Sequence, residues 1–79
     1  MALDPYQTRM LAELSPDARR AYDALLGMMT PAVWQAATAM DDTTFRRALR
    51  DLRRDPRTGE NRLLVRRGPA DHKGEWMRV

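Results

Sequence analysis

Apolar side chains recur three and four residues apart in four successive segments, and a residue able to cap a helix precedes each one. Ser15 and Thr30 each stand before a proline, which suits the first helical position because it has no N–H to leave unpaired. Asp4 introduces the first segment in the same way, and Asp41 or Asp42 introduces the fourth. The pattern predicts four helices. Their expected apolar faces are Tyr6, Met10, Leu11 and Leu14; Ala18, Ala21, Tyr22, Leu25 and Met29; Val33, Ala36, Ala37 and Met40; and Phe45, Ala48, Leu49 and Leu52.

The pattern changes after Pro56 and Gly59, which end the fourth helix. Residues 62–67 and 75–79 are short β-rich runs, and the loop 68–74 between them has a glycine at each end. This arrangement predicts a β-hairpin, which must pack on the helices because two strands alone are marginal in water. The fold class expected is therefore mainly α with a C-terminal β-hairpin (α+β). The expected inward residues are Leu63, Val65 and either Trp76 or the pair Met77 and Val79.

The fourth helix is strongly basic on the side opposite its apolar face. The residues on that side are Thr43, Thr44, Arg46, Arg47, Arg50, Arg53 and Arg54. Two nearby acids, Asp51 and Asp55, are expected to pair with Arg47, Arg50 or Arg54 along the helix. Three small residues (Ala36, Ala37 and Ala48) would let the third and fourth helices cross closely. The simplest alternative is a helical hairpin whose basic side only faces water.

Charge is distributed unevenly along the 79 residues, a length suited to one small domain. Residues 1–40 carry a net charge of −1 and residues 41–79 a net charge of +4, and nearly all the basic residues are arginine. The planar fork of arginine suits phosphate oxygens and guanine edges. With no cysteine, no disulfide or thiolate metal site is expected. Without a long apolar run or a signal sequence, we expect no membrane partner and a cytoplasmic location.

The sequence offers little for catalysis. It has no nucleophile paired with a base, no glycine-rich phosphate loop and no metal-ligand spacing, and its single histidine, His72, lies in a polar loop. We therefore expect neither enzymatic activity nor a cofactor. The tryptophans Trp34 and Trp76 could stack on bases, but in a chain with few aromatic residues we expect them in the core.

Three helices followed by a hairpin, with the third helix basic, resemble the winged helix-turn-helix DNA-binding family. The resemblance covers residues 15–79, with TPAVWQAATAM as second helix, DDTTFRRALRDLRR as third and RLLVRRGPADHKGEWMRV as wing. The segment TTFRRALRDL is similar to the recognition helices of bacterial winged-helix regulators. Residues 1–14 lie outside the shared region, as an accessory N-terminal helix. The turn 38–41 lacks the glycine usual in the family, and segment 55–61 is longer than the usual link to the wing.

The resemblance implies sequence-specific binding of double-stranded DNA by a small transcriptional regulator of bacterial, plasmid or phage origin. Helix 42–54 would enter the major groove and wing 62–79 would contact the backbone. The DNA-binding residues implied are Thr43, Thr44, Arg46, Arg47, Arg50, Arg54, Arg66, Arg67 and Lys73. The alternative is an interaction module, an assembly or inhibitor protein, whose basic face binds an acidic protein partner. Residues 4–14 would either cover the three-helix core or form the seam of a homodimer.

Overall fold

The computed structural model describes residues 5–62, 64–72 and 74–79. Within them the chain forms four α-helices followed by a two-stranded antiparallel hairpin, so the predicted α+β class is confirmed. No helix in these ranges is long and apolar enough to cross a membrane. The elements are α1 (Pro5–Glu13), α2 (Pro16–Ala24), α3 (Pro31–Thr38), α4 (Asp42–Arg53), β1 (Val65–Arg67), a 3-10 turn (Ala70–His72) and β2 (Trp76–Arg78).

The helices begin where the capping residues predict. The side-chain oxygens of Ser15 and Thr30 accept hydrogen bonds from the backbone N–H three residues later, at 3.2 and 3.3 Å. The Asp41 carboxylate does the same for α4 at 2.7 Å, so Asp41 is its cap and Asp42 its first residue. Asp4, the predicted cap of α1, lies outside the described residues. Each such cap stabilises a helix by about 1 kcal/mol.

Trp34 lies at the centre of the core and is fully buried. Its indole N–H donates to the carbonyl of Ala21 in α2 at 2.8 Å. Its ring meets Phe45 of α4 edge to face, with centroids 5.1 Å apart, and tilts against Trp76 of β2 at 6.3 Å. One side chain on α3 thus contacts α2, α4 and the hairpin. The core positions expected for Trp34 and Trp76 are confirmed.

The rest of the core gathers around α2, which packs on both α3 and α4. Buried apolar residues come from every helix and from the hairpin: Met10, Leu11, Ala18, Ala21, Tyr22, Leu25, Trp34, Phe45, Ala48, Leu52, Leu64, Val65 and Trp76. Leu14 and Leu49 are partly buried against this cluster. The predicted apolar face of α4 is therefore confirmed, with Leu49 at its edge.

The predicted apolar face of α3 is wrong at three of its four positions, whereas the fourth, Met40, is partly buried against the core. Val33 is 55% exposed, and Ala36 and Ala37 also face solvent, while Trp34 and Thr38 are buried. Trp34 outweighs the predicted face because burying one large ring removes more apolar surface from water than burying a valine and two alanines. Of the three small residues expected at a helix crossing, only Ala48 is buried.

The turn between α3 and α4 forms without a glycine. Ala39 takes the left-handed conformation there, at φ 58° and ψ 26°. The Thr38 hydroxyl donates to the Gln35 carbonyl at 2.7 Å and accepts from the Met40 N–H at 3.2 Å. The Gln35 amide donates to the Met40 carbonyl at 3.3 Å. These side-chain bonds hold a turn in which an alanine at positive φ costs about 1–2 kcal/mol.

The hairpin is shorter than the predicted runs but falls in the same place. Its register pairs Val65 with Arg78 and Arg67 with Trp76. Val65 and Trp76 are buried and Val79 is exposed, so the Trp76 alternative is correct. Leu63, the other predicted inward residue, lies outside the described residues.

A backbone bridge that the sequence did not predict joins the hairpin to the helices. Met29, just before α3, donates its N–H to the Trp76 carbonyl at 3.0 Å and accepts from the Trp76 N–H at 2.8 Å. The pairing fixes the outer edge of β2 against the start of α3.

Helix α1 packs on the core of its own chain. Met10 and Leu11 are buried, Leu14 is partly buried, and Tyr6 is exposed. The covering role proposed for these residues is thus observed in the monomer. A homodimer through residues 4–14 stays a prediction, and Tyr6 is the large apolar side chain of α1 that remains exposed for it.

Candidate functional site

The outward side of α4 is a continuous basic surface. We call it the arginine face, formed by Arg46, Arg47, Arg50, Arg53 and Arg54, all of which are exposed. It faces solvent because Phe45, Ala48 and Leu52 hold the opposite side in the core. Leu49 forms the floor of an open groove of about 470 Å³ whose walls are four of these arginines.

The threonines expected to assist the arginines lie at the start of α4. Thr43 is exposed, while Thr44 is partly buried and gives its backbone N–H to Asp41. The hydrogen bond from this N–H, joined by one from the Thr44 hydroxyl and the charge of Arg47, lowers the pKa of Asp41 below its ordinary value. Asp41 is therefore charged at neutral pH and acts as a cap at the end of the face.

The acids Asp51 and Asp55 do not pair with the arginine face, which corrects the sequence prediction. They turn towards Arg62, whose side chain is only 2% exposed. The Arg62 guanidinium lies 2.6 Å from the Asp51 carboxylate and 3.7 Å from that of Asp55, and it also donates to the Asp51 carbonyl at 3.1 Å. The other Asp51 oxygen accepts from the Ser15 N–H at 3.1 Å. Both acids thus belong to a buried ionic cluster.

Arg62 reaches this position because the chain reverses directly after α4. Arg54 bridges to Asn61, and the Arg62 N–H donates to the Arg53 carbonyl at 2.9 Å. Gly59 makes the turn at φ 73° and donates to the Asp55 carbonyl at 2.8 Å. The segment 55–61 is therefore a closed loop. The sequence treated Arg62 as the first residue of a strand and offered no local signal for its burial.

Hydrogen bonding and charge also perturb Asp55. The Arg57 backbone N–H donates to its carboxylate at 2.8 Å, and the charges of Arg62 and Arg57 lie close by. These interactions outweigh partial burial, and they lower the pKa of Asp55 below its ordinary value. Asp55 therefore stays ionised at neutral pH and helps to neutralise Arg62.

Most arginines of the candidate site consequently form no ion pair with an acid in the described part of the chain. Arg46 pairs with Asp42 at 3.0 Å, and both side chains are well exposed. Among the residues that the structure describes, the other arginines of the site make no ion pair within 4 Å; they are Arg47, Arg50, Arg53, Arg54, Arg66 and Arg67. Apart from Arg46, these arginines are therefore not neutralised by a direct ion pair with another described residue.

The hairpin extends this positive surface. Arg66 and Arg67 are exposed on β1, and the Arg67 guanidinium carbon lies 5.1 Å from the centroid of the Trp76 ring. That of Arg53, at the end of α4, lies 5.4 Å from the same centroid. Arg53 was missing from the predicted site, although its spacing from Arg46 and Arg50 places it on the same side of the helix. Lys73, also predicted, lies outside the described residues.

Arg78 has a different role from the other hairpin arginines. Its guanidinium donates to the carbonyls of Tyr22 (2.8 and 3.1 Å) and Asp23 (3.1 Å), at the end of α2. It also stacks on the Tyr22 ring, 4.5 Å from the centroid. Arg78 thus caps the carboxyl end of a helix, where a cation opposes the helix dipole.

Comparison of the chain with protein-family models, with curated proteins and with solved structures finds no match. The functional argument therefore depends on the residues and geometry of the chain itself.

Proposed function

We propose that this chain is a winged helix-turn-helix protein that binds double-stranded DNA, as a small sequence-specific transcriptional regulator of bacterial, plasmid or phage origin. In this proposal α3 and α4 form the helix-turn-helix, and the hairpin β1–β2 is the wing. The three-residue connection from Thr38 to Asp42 has the length that this motif uses. The proposal includes neither a catalytic role nor a cofactor.

The observation that carries the proposal is that four of the five arginines of the arginine face form no ion pair within the described residues. Asp51 and Asp55 are turned onto Arg62, so within the described residues Asp42 is the one carboxylate within 4 Å of that face. Unpaired arginines attract the phosphate backbone, which supplies most of the sequence-independent affinity of a DNA-binding protein. A surface designed only for solubility would more often intersperse charges of both signs.

Position along α4 suggests which residues contact bases and which contact phosphates. Residues at the start of a recognition helix reach base edges, whereas later residues and the wing meet phosphates. We assign Thr43, Thr44, Arg46 and Arg47 to the bases. Arg50, which lies between the two groups, can reach either a guanine or a phosphate. The backbone contacts are assigned to Arg54, Arg66, Arg67 and Lys73.

The experiment is to measure the affinity of the protein for random-sequence duplexes and genomic fragments over a range of salt concentrations. Each phosphate contact should steepen the slope of log affinity against log salt by about 0.9. Arg66→Ala should weaken binding to all sequences and flatten the slope by about one unit. At least one of Arg46→Ala, Arg47→Ala and Arg50→Ala should relax the preference at one base pair, by about 1–3 kcal/mol.

A matched control is the double variant Arg19→Ala/Arg20→Ala, which removes two exposed charges from α2 instead of α4. Its DNA affinity should stay near that of the parent, whereas Arg47→Ala/Arg50→Ala should lose affinity while remaining folded. A folded parent with no salt-dependent affinity for any duplex would refute DNA binding.

The same unpaired arginines favour one alternative, a winged-helix interaction module that binds an acidic protein partner. Carboxylates pair with the arginine fork as phosphates do. An acidic polypeptide would then bind the face while duplex DNA would not. Measuring both ligands on the parent and on Arg47→Ala/Arg50→Ala separates the two functions.

A further inference from the structure

Two arginines from different elements converge on one aromatic ring where α4 meets the hairpin. The guanidinium carbons of Arg53 and Arg67 lie 5.4 and 5.1 Å from the centroid of the Trp76 ring. Both distances fall within the range of a cation–π contact. Trp76 is 5% exposed, whereas both arginines are exposed, so a buried ring supports two cations at the surface.

The position of the ring is fixed from several directions. Trp76 packs against Trp34 in the core, and its backbone N–H and carbonyl are both bonded to Met29. The Gly68 N–H donates to the Glu75 carbonyl at 2.8 Å, which closes the hairpin next to β2. Arginines that stack on this ring therefore sit on a rigid support and have less conformational entropy to lose when they bind a ligand.

The two cations have no acidic partner to neutralise them. Within the described part of the chain, no carboxylate lies within 4 Å of either guanidinium. Both guanidinium groups lie beside one ring, so an anion that bonds to both would offset two like charges at once. Stacking uses the faces of the groups and leaves their N–H edges free to donate to oxygen atoms.

We propose that Arg53 and Arg67 form a clamp for a single phosphate of duplex DNA, with Trp76 as its support. The clamp rests on the proposed function and adds to it a residue, Arg53, that sequence reasoning did not assign. It joins the end of α4 to β1, so one phosphate would set the hairpin against the backbone while α4 lies in the groove. Arg53 also lines the groove formed by Arg46 and Arg50, which places the clamp at the end of the arginine face.

The clamp predicts a specific pattern in the salt dependence of DNA binding. Arg53→Ala and Arg67→Ala should each weaken affinity for a random-sequence duplex but change the log–log slope little, because the remaining arginine still neutralises the phosphate. The double variant should lose that phosphate and flatten the slope by about 0.9. The neighbouring Arg66 is assigned a phosphate of its own, so the single variant Arg66→Ala should flatten the slope by about one unit.

The control is Arg9→Ala, which removes the same charge and the same kind of contact, because Arg9 lies 5.9 Å from the Tyr6 ring centroid on α1. It should leave both affinity and slope unchanged. Thermal unfolding of each variant checks that Trp76 stays packed.

Two results would overturn the clamp alone while DNA binding stands. If the log–log slope flattens by about 0.9 in each single variant and by about 1.8 in the double variant, the two arginines contact two independent phosphates. An unchanged slope in the double variant means that neither arginine meets a phosphate. If the parent itself shows no salt-dependent affinity for duplex DNA, the proposed function fails and the clamp fails with it.

Discussion

Near the end of α4, arginine occurs in two opposite environments, one buried and one exposed. On one side Arg62 is buried, with Asp51 at 2.6 Å and Asp55 at 3.7 Å. On the other side Arg47, Arg50, Arg53 and Arg54 are exposed and, among the described residues, form no ion pair within 4 Å. Acids and arginines alternate along this stretch of sequence and nearly cancel, but in space Asp51 and Asp55 form their ion pairs with Arg62 and Arg57 and not with the arginine face.

The difference shows how one buried arginine can change the charge of a surface. A buried guanidinium must be paired, because removing a charge from water costs several kcal/mol. Arg62 therefore draws in Asp51 and Asp55, which would otherwise compete with phosphates for Arg50 and Arg54. On this account the buried cluster stabilises the fold and also keeps Asp51 and Asp55 out of ion pairs with the arginine face.

The largest expected effect comes from removing the buried arginine, Arg62. Arg62→Ala leaves Asp51 without its cation and Asp55 with Arg57 alone, and it should destabilise the protein by about 3–5 kcal/mol. That is a large share of the stability of so small a domain. Arg47→Ala, on the exposed side, should change stability by no more than about 0.5 kcal/mol. Urea denaturation of both variants measures the contrast, and equal stabilities would show that the burial of Arg62 is energetically unimportant.

Acid should weaken the same cluster. The pKa of Asp55 is lowered in the folded state, mainly by the Arg57 N–H and also by the charges of Arg62 and Arg57. A lowered pKa stabilises the fold above the unfolded value of about 3.9, and this contribution disappears as the pH falls through the folded pKa. Asp41 acts in the same direction. We expect the melting temperature to decrease once the pH is lower than about 4.

The variant Asp55→Asn isolates the contribution of Asp55 to this loss of stability in acid. It should melt below the parent at pH 7, and the gap should narrow as the pH falls below about 3.9 and the parent carboxylate takes up a proton. The control is Asp71→Asn, because Asp71 is exposed and makes no ion pair with another described residue. A gap between Asp55→Asn and parent that stays constant with pH would contradict the assignment.

The smallest effect concerns the turn that orients the arginine face. Ala39→Gly relieves an alanine at φ 58° and should stabilise the protein by about 0.5–1 kcal/mol. Ala36→Gly, an exposed position inside α3, should cost about 1 kcal/mol because glycine is a poor helix former. Thermal unfolding should therefore shift in opposite directions for the two variants. A destabilised Ala39→Gly would indicate that the left-handed residue is not strained.

The helices could be predicted because their signals are local. Ser15 and Thr30 act on an N–H three residues away, and the apolar spacing of α4 repeats within each turn. The spacing misled at Tyr6 of α1, which is exposed, and at α3, where counting apolar positions gave Val33 the same weight as Trp34. The outward direction of the candidate site could be predicted from the same local signals as the helices. The outward direction of Arg46, Arg47 and Arg50 followed from the burial of Phe45 and its neighbours.

What the sequence determined by itself is the order of elements, their starts and the side of α4 that faces water, because capping and periodicity act over one helical turn. Only the tertiary structure decided which charges remain free. The Arg62–Asp51 contact spans 11 positions, the Trp34–Ala21 bond spans 13 and the Arg78–Tyr22 bond spans 56. Partners so far apart are chosen by the packing of the whole chain, since each buried polar group must find whichever complementary group the fold brings near it.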